Sequence, residues 1–292
     1  MKQTKLYAFI LMTALAIGLN TSCSKDDDNE GEKPVSGSGA SLIKTIKDKD
    51  GNDVQLDEFT YASHTYKYFY SESGKLNKMI DEIDGTVFKP TLINSPFNIT
   101  YKESTSSNDV SYDWNTDIKL DGEGDITSYT TTENTTKKGG SFLKVEETAT
   151  FTYGYSKEIK LVNISGKYVE NTSSIVNTKY NITIKFTWDG GNITEANVTE
   201  LVDGKENYPT ISYSYSSGTL TSNQMPYNFV RYGILGNYSY SDQIYAFLPL
   251  IGFGKTPQNV PYSAGGHSIN LYRNSNGTIS SESNCSYVYA TK

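Results

Sequence analysis

The residues that decide the fold are 180–188, which read Tyr-Asn-Ile-Thr-Ile-Lys-Phe-Thr-Trp. Bulky apolar side chains occupy every second position, and polar side chains fill the positions between them. Because successive side chains of a β-strand point to opposite faces of the sheet, this alternation predicts an antiparallel strand with one buried face. We therefore expect rings and branched side chains inside, and hydroxyl and amide groups outside.

The turns around this strand repeat at a constant interval. Gly190, Gly204 and Gly218 lie fourteen residues apart, and each follows a segment of alternating residues. Asp203-Gly204 suits the positive φ angles of a tight hairpin. The sequence therefore predicts an all-β fold of meandering antiparallel hairpins, in which sequence neighbours pair, forming a barrel-like or strongly curved sheet. We expect residues 41–292 to form a single domain of this kind.

Composition supports strands and excludes one class of partner. The chain has 24 Tyr, 11 Phe and 2 Trp, and 36% of its residues are hydrophobic, so it can bury an aromatic core. Its formal net charge is −7, and Arg231 and Arg273 are its only arginines. Nucleic-acid binding requires a positive field against the phosphate backbone, so we expect no nucleic-acid partner.

The N-terminus predicts export. Lys2 and Lys5 precede an apolar run at residues 6–19, which has the length of a signal h-region and is too short to span a bilayer. We expect residues 1–22 to be a signal peptide and residues 23–40, which begin at Cys23 and are rich in acidic residues, Gly and Ser, to be a solvated tether. Cys285 is the only other cysteine and lies in an alternating segment, so we expect a buried, inert thiol.

The segment around Cys23 resembles the lipobox of bacterial lipoproteins. Residues 19–23 read Leu-Asn-Thr-Ser-Cys, with Asn20 standing where the usual motif has a branched apolar residue. The following Ser-Lys-Asp-Asp-Asp at residues 24–28 resembles the export signal of Bacteroidota surface lipoproteins. The resemblance implies lipidation of Cys23 and an outer-membrane lipid anchor with the folded part facing the exterior. The alternatives are a lipoprotein on the periplasmic side and a cleaved secretory peptide that leaves a free thiol.

The strands carry a second resemblance. At residues 66–74, two aromatic residues separated by one other residue are followed by a polar turn that contains Gly74. A similar unit begins at Phe151. This pattern resembles a domain of unknown function in Bacteroidota lipoproteins, across about residues 55–292, and implies a porin-like antiparallel barrel or a curved sheet. Residues 224–266 form an irregular apolar insert that resembles a late insert of that family. Its Pro and Gly argue against a central strand, so we expect a plug that closes the sheet or, alternatively, a ligand-binding loop.

Catalytic and metal-binding patterns are scarce. His64 and His267 are the only histidines and have no ligand spacing around them, and no nucleophile, phosphate or dinucleotide motif is present. Acidic residues concentrate at residues 48–53 and 121–125, but both segments lack the spacing of a calcium loop, so we expect hairpin turns. We predict no catalytic residues, no metal, no cofactor and no enzyme activity; a hydrolase with two carboxylates remains a minor alternative.

The aromatic surplus is the one indication of function. Exposed rings can stack on the C–H faces of sugars, with neighbouring polar groups binding hydroxyls. Tyrosines near turns or in the insert are the candidates for exposure and ligand binding: Tyr168, Tyr208, Tyr238, Tyr240 and Tyr262. We expect a cell-surface lipoprotein acting as a non-catalytic binding module, with glycan as the candidate ligand. The alternative is a structural or protein-interaction lipoprotein of the envelope that has no small-molecule ligand.

Overall fold

A computed structural model describes residues 45–72, 76–83, 85–95, 98–106, 109–171, 174–239 and 243–290. The described residues belong to one compact unit, and residues 1–44 lie outside them. The predicted signal peptide, Cys23 and the tether therefore lie outside them as well. Within the described ranges, no helix is long and apolar enough to cross a membrane.

The described chain consists mainly of β-strands. In chain order they are β1 (Ile46–Lys47), β2 (Asp53–Val54), β3 (Leu56–Tyr61), β4 (His64–Tyr70), β5 (Leu76–Ile83), β6 (Thr86–Phe88), β7 (Thr91–Ser95), β8 (Asn98–Ser106), β9 (Val110–Leu120), β10 (Ile126–Lys137), β11 (Phe142–Tyr153), β12 (Ile159–Asn171), β13 (Ile175–Asp189), β14 (Asn192–Val202), β15 (Lys205–Asn207), β16 (Thr210–Thr219), β17 (Asn259–Ala264), β18 (His267–Ser268), β19 (Leu271–Arg273), β20 (Ile279–Glu282) and β21 (Cys285–Tyr289).

Twelve strands form one large sheet. They follow chain order from β7 to β14 and then through β16, β17 and β18, while β15 pairs only with β14. Each pairing is antiparallel, as in β12 with β13 and β13 with β14. The predicted all-β meander is confirmed, and its sheets are curved and open.

A seven-stranded sheet joins the two ends of the described chain. Its order is β19, β20, β21, β3, β4, β5, β6, so β21 pairs with β3 across more than two hundred residues of sequence. Tyr287 lies opposite Phe59 in this pairing, with ring centroids 5.1 Å apart. Sequence alternation predicts each of these strands but does not predict that they pair. β1 and β2 form a separate two-stranded sheet.

The predicted turns are correct at two of three glycines. Gly190 and Gly204 have φ angles of 53° and 75° and connect β13 to β14 and β14 to β15. Asp203 also has a positive φ, 49°, as a tight hairpin requires. The turn predicted at Gly218 is wrong, because β16 continues through this residue to Thr219.

The strand that predicted the fold has the expected faces. Ile182 and Ile184 are 1% and 0% exposed, whereas Lys185 and Thr187 are exposed. Burying each isoleucine contributes about 1.5–3 kcal/mol relative to exposing it. Trp188 ends the buried face, and its indole Nε1 donates a hydrogen bond of 2.9 Å to the carbonyl oxygen of Ile159.

The apolar insert at residues 224–266 lies between the two sheets. It contains a π-helical turn at Phe229–Ile234 and a 3-10 turn at Gln243–Ala246. The Tyr68 hydroxyl of the seven-stranded sheet donates a 2.7 Å hydrogen bond to the carbonyl oxygen of Ala246. The ring centroid of Phe247 lies 5.6 Å from that of Tyr101 in the large sheet. The insert therefore fills the core between the two sheets, as the plug interpretation of its sequence expects.

The end of the insert departs from the prediction. Asn259–Ala264 form β17 and pair with β16, although the prolines and glycines of the insert argued against a strand. Pro261 is tolerated because the register between β16 and β17 is irregular there, and the only further neighbour, β18, pairs beyond it at Ser263 and Ala264.

Candidate ligand-binding cleft

The predicted tyrosines do not share one environment. Tyr168 is only 4% exposed and its hydroxyl donates a hydrogen bond to the Glu170 carboxylate, so its predicted exposure is wrong. It lies on the inner face of β12 because the alternation of that strand places it in the same row as Ile164 and Val162.

Three other tyrosines are described. Tyr208 and Tyr262 are 66% and 53% exposed, as predicted, and the Tyr208 hydroxyl donates a hydrogen bond to Glu206. Tyr238 is partly buried against the core. Tyr240 and Cys23 lie outside the described residues. Ligand binding by any of these tyrosines stays a prediction.

The two segments rich in acidic residues are turns, as predicted. The segment at residues 48–52 connects β1 to β2, and the one at residues 121–125 connects β9 to β10. Asp121 of the second turn forms an ion pair with Lys157, whose Nζ lies 2.7 Å from Asp121 Oδ2. Within the part of the chain that the structure describes, no three His, Cys, Asp or Glu side chains are grouped to hold a metal ion. Cys285 is a free thiol, buried as predicted, and burial raises its pKa.

A cleft opens where the chain passes from one sheet to the other. The connection from β6 to β7 is only Lys89-Pro90, and it leads from the seven-stranded sheet into the edge of the large sheet. β7 pairs with β8 as far as Lys102, whereas β8 pairs with β9 as far as Ser106. Residues 103–106 of β8 therefore have a strand neighbour on one side only among the described strands, which leaves a gap beside them.

This gap is the Trp114 cleft, with a volume of about 550 Å³. Its lining includes Phe88, Lys89, Lys102, Glu103, Trp114 and Asn115. The size is in the range of small-molecule sites. The rings of Phe88 and Trp114 stand in a lining that is otherwise mostly polar and charged.

Trp114 carries an unusual buried donor. The residue is 7% exposed and its ring centroid lies 5.3 Å from that of Tyr112, yet its indole Nε1 is buried and has no hydrogen-bond partner among the described residues. The amide oxygen of Asn115 is also buried without a partner. A buried polar group without a partner costs about 1–3 kcal/mol, and such groups in native proteins mark sites for water, ions or ligands.

Charged groups complete the lining. Glu103 is 6% exposed and accepts a hydrogen bond from the Tyr101 hydroxyl. Burial raises the pKa of Glu103, and the Tyr101 hydrogen bond opposes that rise. Lys89 and Lys102 are exposed at the rim. The cleft thus offers a ring, amide and carboxylate acceptors, and ammonium donors, as recognition of a hydroxyl-rich ligand requires.

A buried polar cluster lies on the inner face of the large sheet. Glu147 Oε1 accepts hydrogen bonds from the Tyr129 hydroxyl at 2.7 Å and from Ser239 Oγ at 2.6 Å, and Glu147 Oε2 accepts one from the Tyr180 hydroxyl at 2.8 Å. Gly166 lies between Tyr180 and Glu147 in the register. A Cβ at Gly166 would lie 2.5 Å from the Tyr180 hydroxyl oxygen, so glycine is required for the ring to cross β12.

The expectation that hydroxyl groups lie outside is therefore wrong for part of the sheet. Thr116 and Thr131 are both 0% exposed, and their hydroxyls lie 2.8 Å apart. Sequence reasoning missed this polar region, because alternation assigns a residue to a face but does not state whether that face is apolar. The alternating Thr and Glu of β10 and the lone glycine of β12 are the signals that indicate it.

The fold and cleft define an antiparallel all-β protein with two curved sheets, a buried plug and an open cleft at the sheet edge. Comparison with protein-family models gives no match, and neither does comparison with curated proteins. Among solved structures, a porin-like protein from Bacteroides vulgatus aligns with a TM-score of 0.47 and 13% identity, over 82% of this chain and 99% of that chain. A porin-like protein from Bacteroides uniformis aligns with a TM-score of 0.38 and 14% identity, over 86% and 98% of the two chains.

Proposed function

We propose that the protein is a non-catalytic binding protein of the cell envelope that takes a carbohydrate in the Trp114 cleft. The observation that carries this proposal is that two residues lining the cleft, Trp114 and Asn115, each hold a buried polar atom, Nε1 and Oδ1, for which the described residues supply no partner. Trp114 and Asn115 are neighbours on β9, so their side chains lie on opposite faces of the sheet. Sugar hydroxyls both donate and accept hydrogen bonds, so separate hydroxyls of one ligand at the sheet edge would serve the donor and the acceptor. The proposal assigns the cleft no catalytic step.

The binding test compares two sets of aromatic residues. A panel of neutral and acidic oligosaccharides is screened against the protein, and affinities are measured by calorimetry. We expect Trp114→Ala to abolish binding, and the double change Tyr208→Ala with Tyr262→Ala, which removes two exposed rings elsewhere, to leave it unchanged. Trp114→Phe, which keeps a smaller ring in the core and removes the N–H group, should weaken binding by about three- to tenfold.

Two results would count against the cleft. One is a panel without any binder, and the other is a binder whose affinity depends on Tyr208 and Tyr262 and not on Trp114. Circular dichroism and thermal unfolding of each variant establish that the folded state is retained before affinities are compared.

The envelope location rests on the N-terminal sequence. We propose that Cys23 is lipidated, that residues 23–40 are the tether and that the protein faces the exterior of an outer membrane. Labelled fatty acid should join the wild-type protein and not Cys23→Ala, and protease added to intact cells should remove the anchored protein. Label in Cys23→Ala would contradict the anchor, and protection from protease would favour the periplasmic face.

A protein partner is the second candidate, favoured by the edge of the large sheet. β7 is the last strand on this side among the described strands, and its Ile93 is 56% exposed. Exposed edges accept a partner's strand by backbone hydrogen bonding. Cross-linking on intact cells should then yield a stoichiometric adduct that Ile93→Lys removes, without any effect of Trp114→Phe.

A further inference from the structure

Arg231 occupies an aromatic cage in the insert. Its guanidinium carbon lies 4.5 Å from the ring centroid of Tyr245, 4.8 Å from that of Tyr61 and 5.4 Å from that of Tyr232. A guanidinium stacks well on such rings because the ring faces carry partial negative charge. The rings fix the position of the cation and leave the edge of its plane, where the N–H groups point, to other partners.

The protein uses few of these N–H groups. Arg231 Nε donates to Asn237 Oδ1 at 3.3 Å, and Arg231 Nη1 donates to the Tyr227 hydroxyl at 3.4 Å. Both distances are longer than is usual for a charged donor. A guanidinium has five N–H donors, so three remain without a partner within the described part of the chain.

No described carboxylate neutralises this charge. The ion pairs among the described residues involve lysines and His64, as in Lys157 with Asp121, and none involves Arg231. The buried Glu282 accepts hydrogen bonds from the Tyr287 hydroxyl and from the backbone N–H groups of Tyr227 and Asn228, the last at 2.9 Å, and not from Arg231. A partly buried cation without a counter-ion is unusual in a chain of net charge −7.

A histidine lies beside the cage, and its pKa depends on the charge of Arg231. The exposed His267 stacks on Tyr232, with ring centroids 3.7 Å apart and planes 13° apart. Burial lowers the pKa of His267, and the positive charge of Arg231 lowers it further. Any anion bound to Arg231 offsets the second effect.

We propose that Arg231 and its tyrosine cage form a binding site for a single carboxylate group, separate from the Trp114 cleft and independent of its function. The planar guanidinium edge matches a planar carboxylate through two parallel hydrogen bonds. One cation balances one negative charge, and the described residues around the cage supply no second cation for a doubly charged phosphate. The ligand class is therefore a carboxylated sugar or a peptide carboxylate.

The test uses the two histidines of the chain as internal probes. The protein with ¹⁵N-labelled histidine is titrated by NMR with sodium glucuronate, with sodium chloride at matched ionic strength and with glucose. We expect glucuronate to raise the pKa of His267 saturably, chloride and glucose to leave it unchanged, and His64, which pairs with Asp81 at 3.2 Å, to show no response.

Three variants assign the response to Arg231. Arg231→Gln should lose it, and Arg231→Lys, which keeps the charge but not the planar fork, should weaken it by about tenfold. Arg273→Gln should keep it, because exposed Arg273 donates instead to the carbonyl oxygen of Thr219 at 3.0 Å.

The proposal is overturned if wild-type His267 does not respond to glucuronate, or if Arg231→Gln responds equally. A stronger response to inorganic phosphate than to glucuronate would overturn the carboxylate assignment. An acetylated peptide with a free C-terminus, compared with its amide, distinguishes the peptide source from the sugar source.

Discussion

The two tryptophans lie in opposite regions of the large sheet. Trp188 lies near the end of β13 in the apolar region covered by the insert, and its N–H group donates to the Ile159 carbonyl oxygen. Trp114 lies on β9 in the polar region beside the cleft, and its buried N–H group has no partner in the part of the chain that the structure describes. The indole N–H group is thus hydrogen-bonded in one region and lacks a described acceptor in the other. The apolar region stabilises the fold, and the polar region is where we propose that a ligand binds.

The largest expected effect is a loss of packing in the apolar region. Phe253 of the insert is 1% exposed and contacts Phe151 at 5.8 Å. Phe253→Ala should lower the free energy of unfolding by about 3–5 kcal/mol, measured by chemical denaturation, because it removes a buried ring and leaves a cavity. Phe69→Ala is the control, since Phe69 is 43% exposed, and an equal loss in both variants would contradict the role of Phe253 in the buried core.

A buried carboxylate at the insert should make stability depend on pH. Burial raises the pKa of Glu282 to about 7 from 4.5, against the hydrogen bonds that it accepts from Tyr287 and from backbone N–H groups. Because the folded state holds the proton more tightly than the unfolded state, this stabilisation is complete below pH 4.5 and is lost as pH rises through 7. The loss amounts to on the order of 3 kcal/mol.

Glu282→Gln separates this effect from other titrating groups. Denaturation curves between pH 4 and pH 8 should show that the variant lacks the decline of the wild type across that window. Parallel curves for the two proteins would mean that Glu282 does not titrate there.

In the polar region, Gly166 is the position most sensitive to a small change. Gly166→Ala places a Cβ 2.3 Å from the carbonyl oxygen of Glu146 and 2.5 Å from the Tyr180 hydroxyl oxygen. We expect unfolding free energy to fall by about 1–3 kcal/mol, the usual cost of overpacking. Gly122→Ala, which has nothing within 4 Å of its Cβ, is the matched control and should change stability little.

Much of the large sheet can be predicted from local sequence, and the Trp114 cleft cannot. Alternation at residues 180–188 and the turn at Asp203-Gly204 are local features, so the meander follows from them. The pairing of Cys285–Tyr289 with Leu56–Tyr61 joins strands that are far apart in the sequence. Residue alternation within each strand does not indicate which distant strand it pairs with. The partner of an indole N–H group is likewise decided by distant strands, so Trp114 and Trp188 look alike in sequence.

The smallest stability effect compares the two tryptophans directly. Trp188→Phe leaves the Ile159 carbonyl oxygen without its donor and should cost about 1 kcal/mol, in addition to the packing change that any Trp→Phe substitution makes. Trp114→Phe removes a donor that has no partner, so its cost should be smaller. The unfolding free energies of the two variants are measured side by side, and the reverse order would contradict this expectation.

Fluorescence of single-tryptophan proteins tests the role of Trp114 most directly. Trp188→Phe retains only Trp114, and Trp114→Phe retains only Trp188, because the chain has two tryptophans. When both proteins are titrated with the oligosaccharide panel, at least one oligosaccharide should change the emission of Trp114 saturably and leave that of Trp188 unchanged. Emission of Trp114 that no oligosaccharide changes, or equal changes in both proteins, would contradict the division of the sheet into a core region and a ligand region.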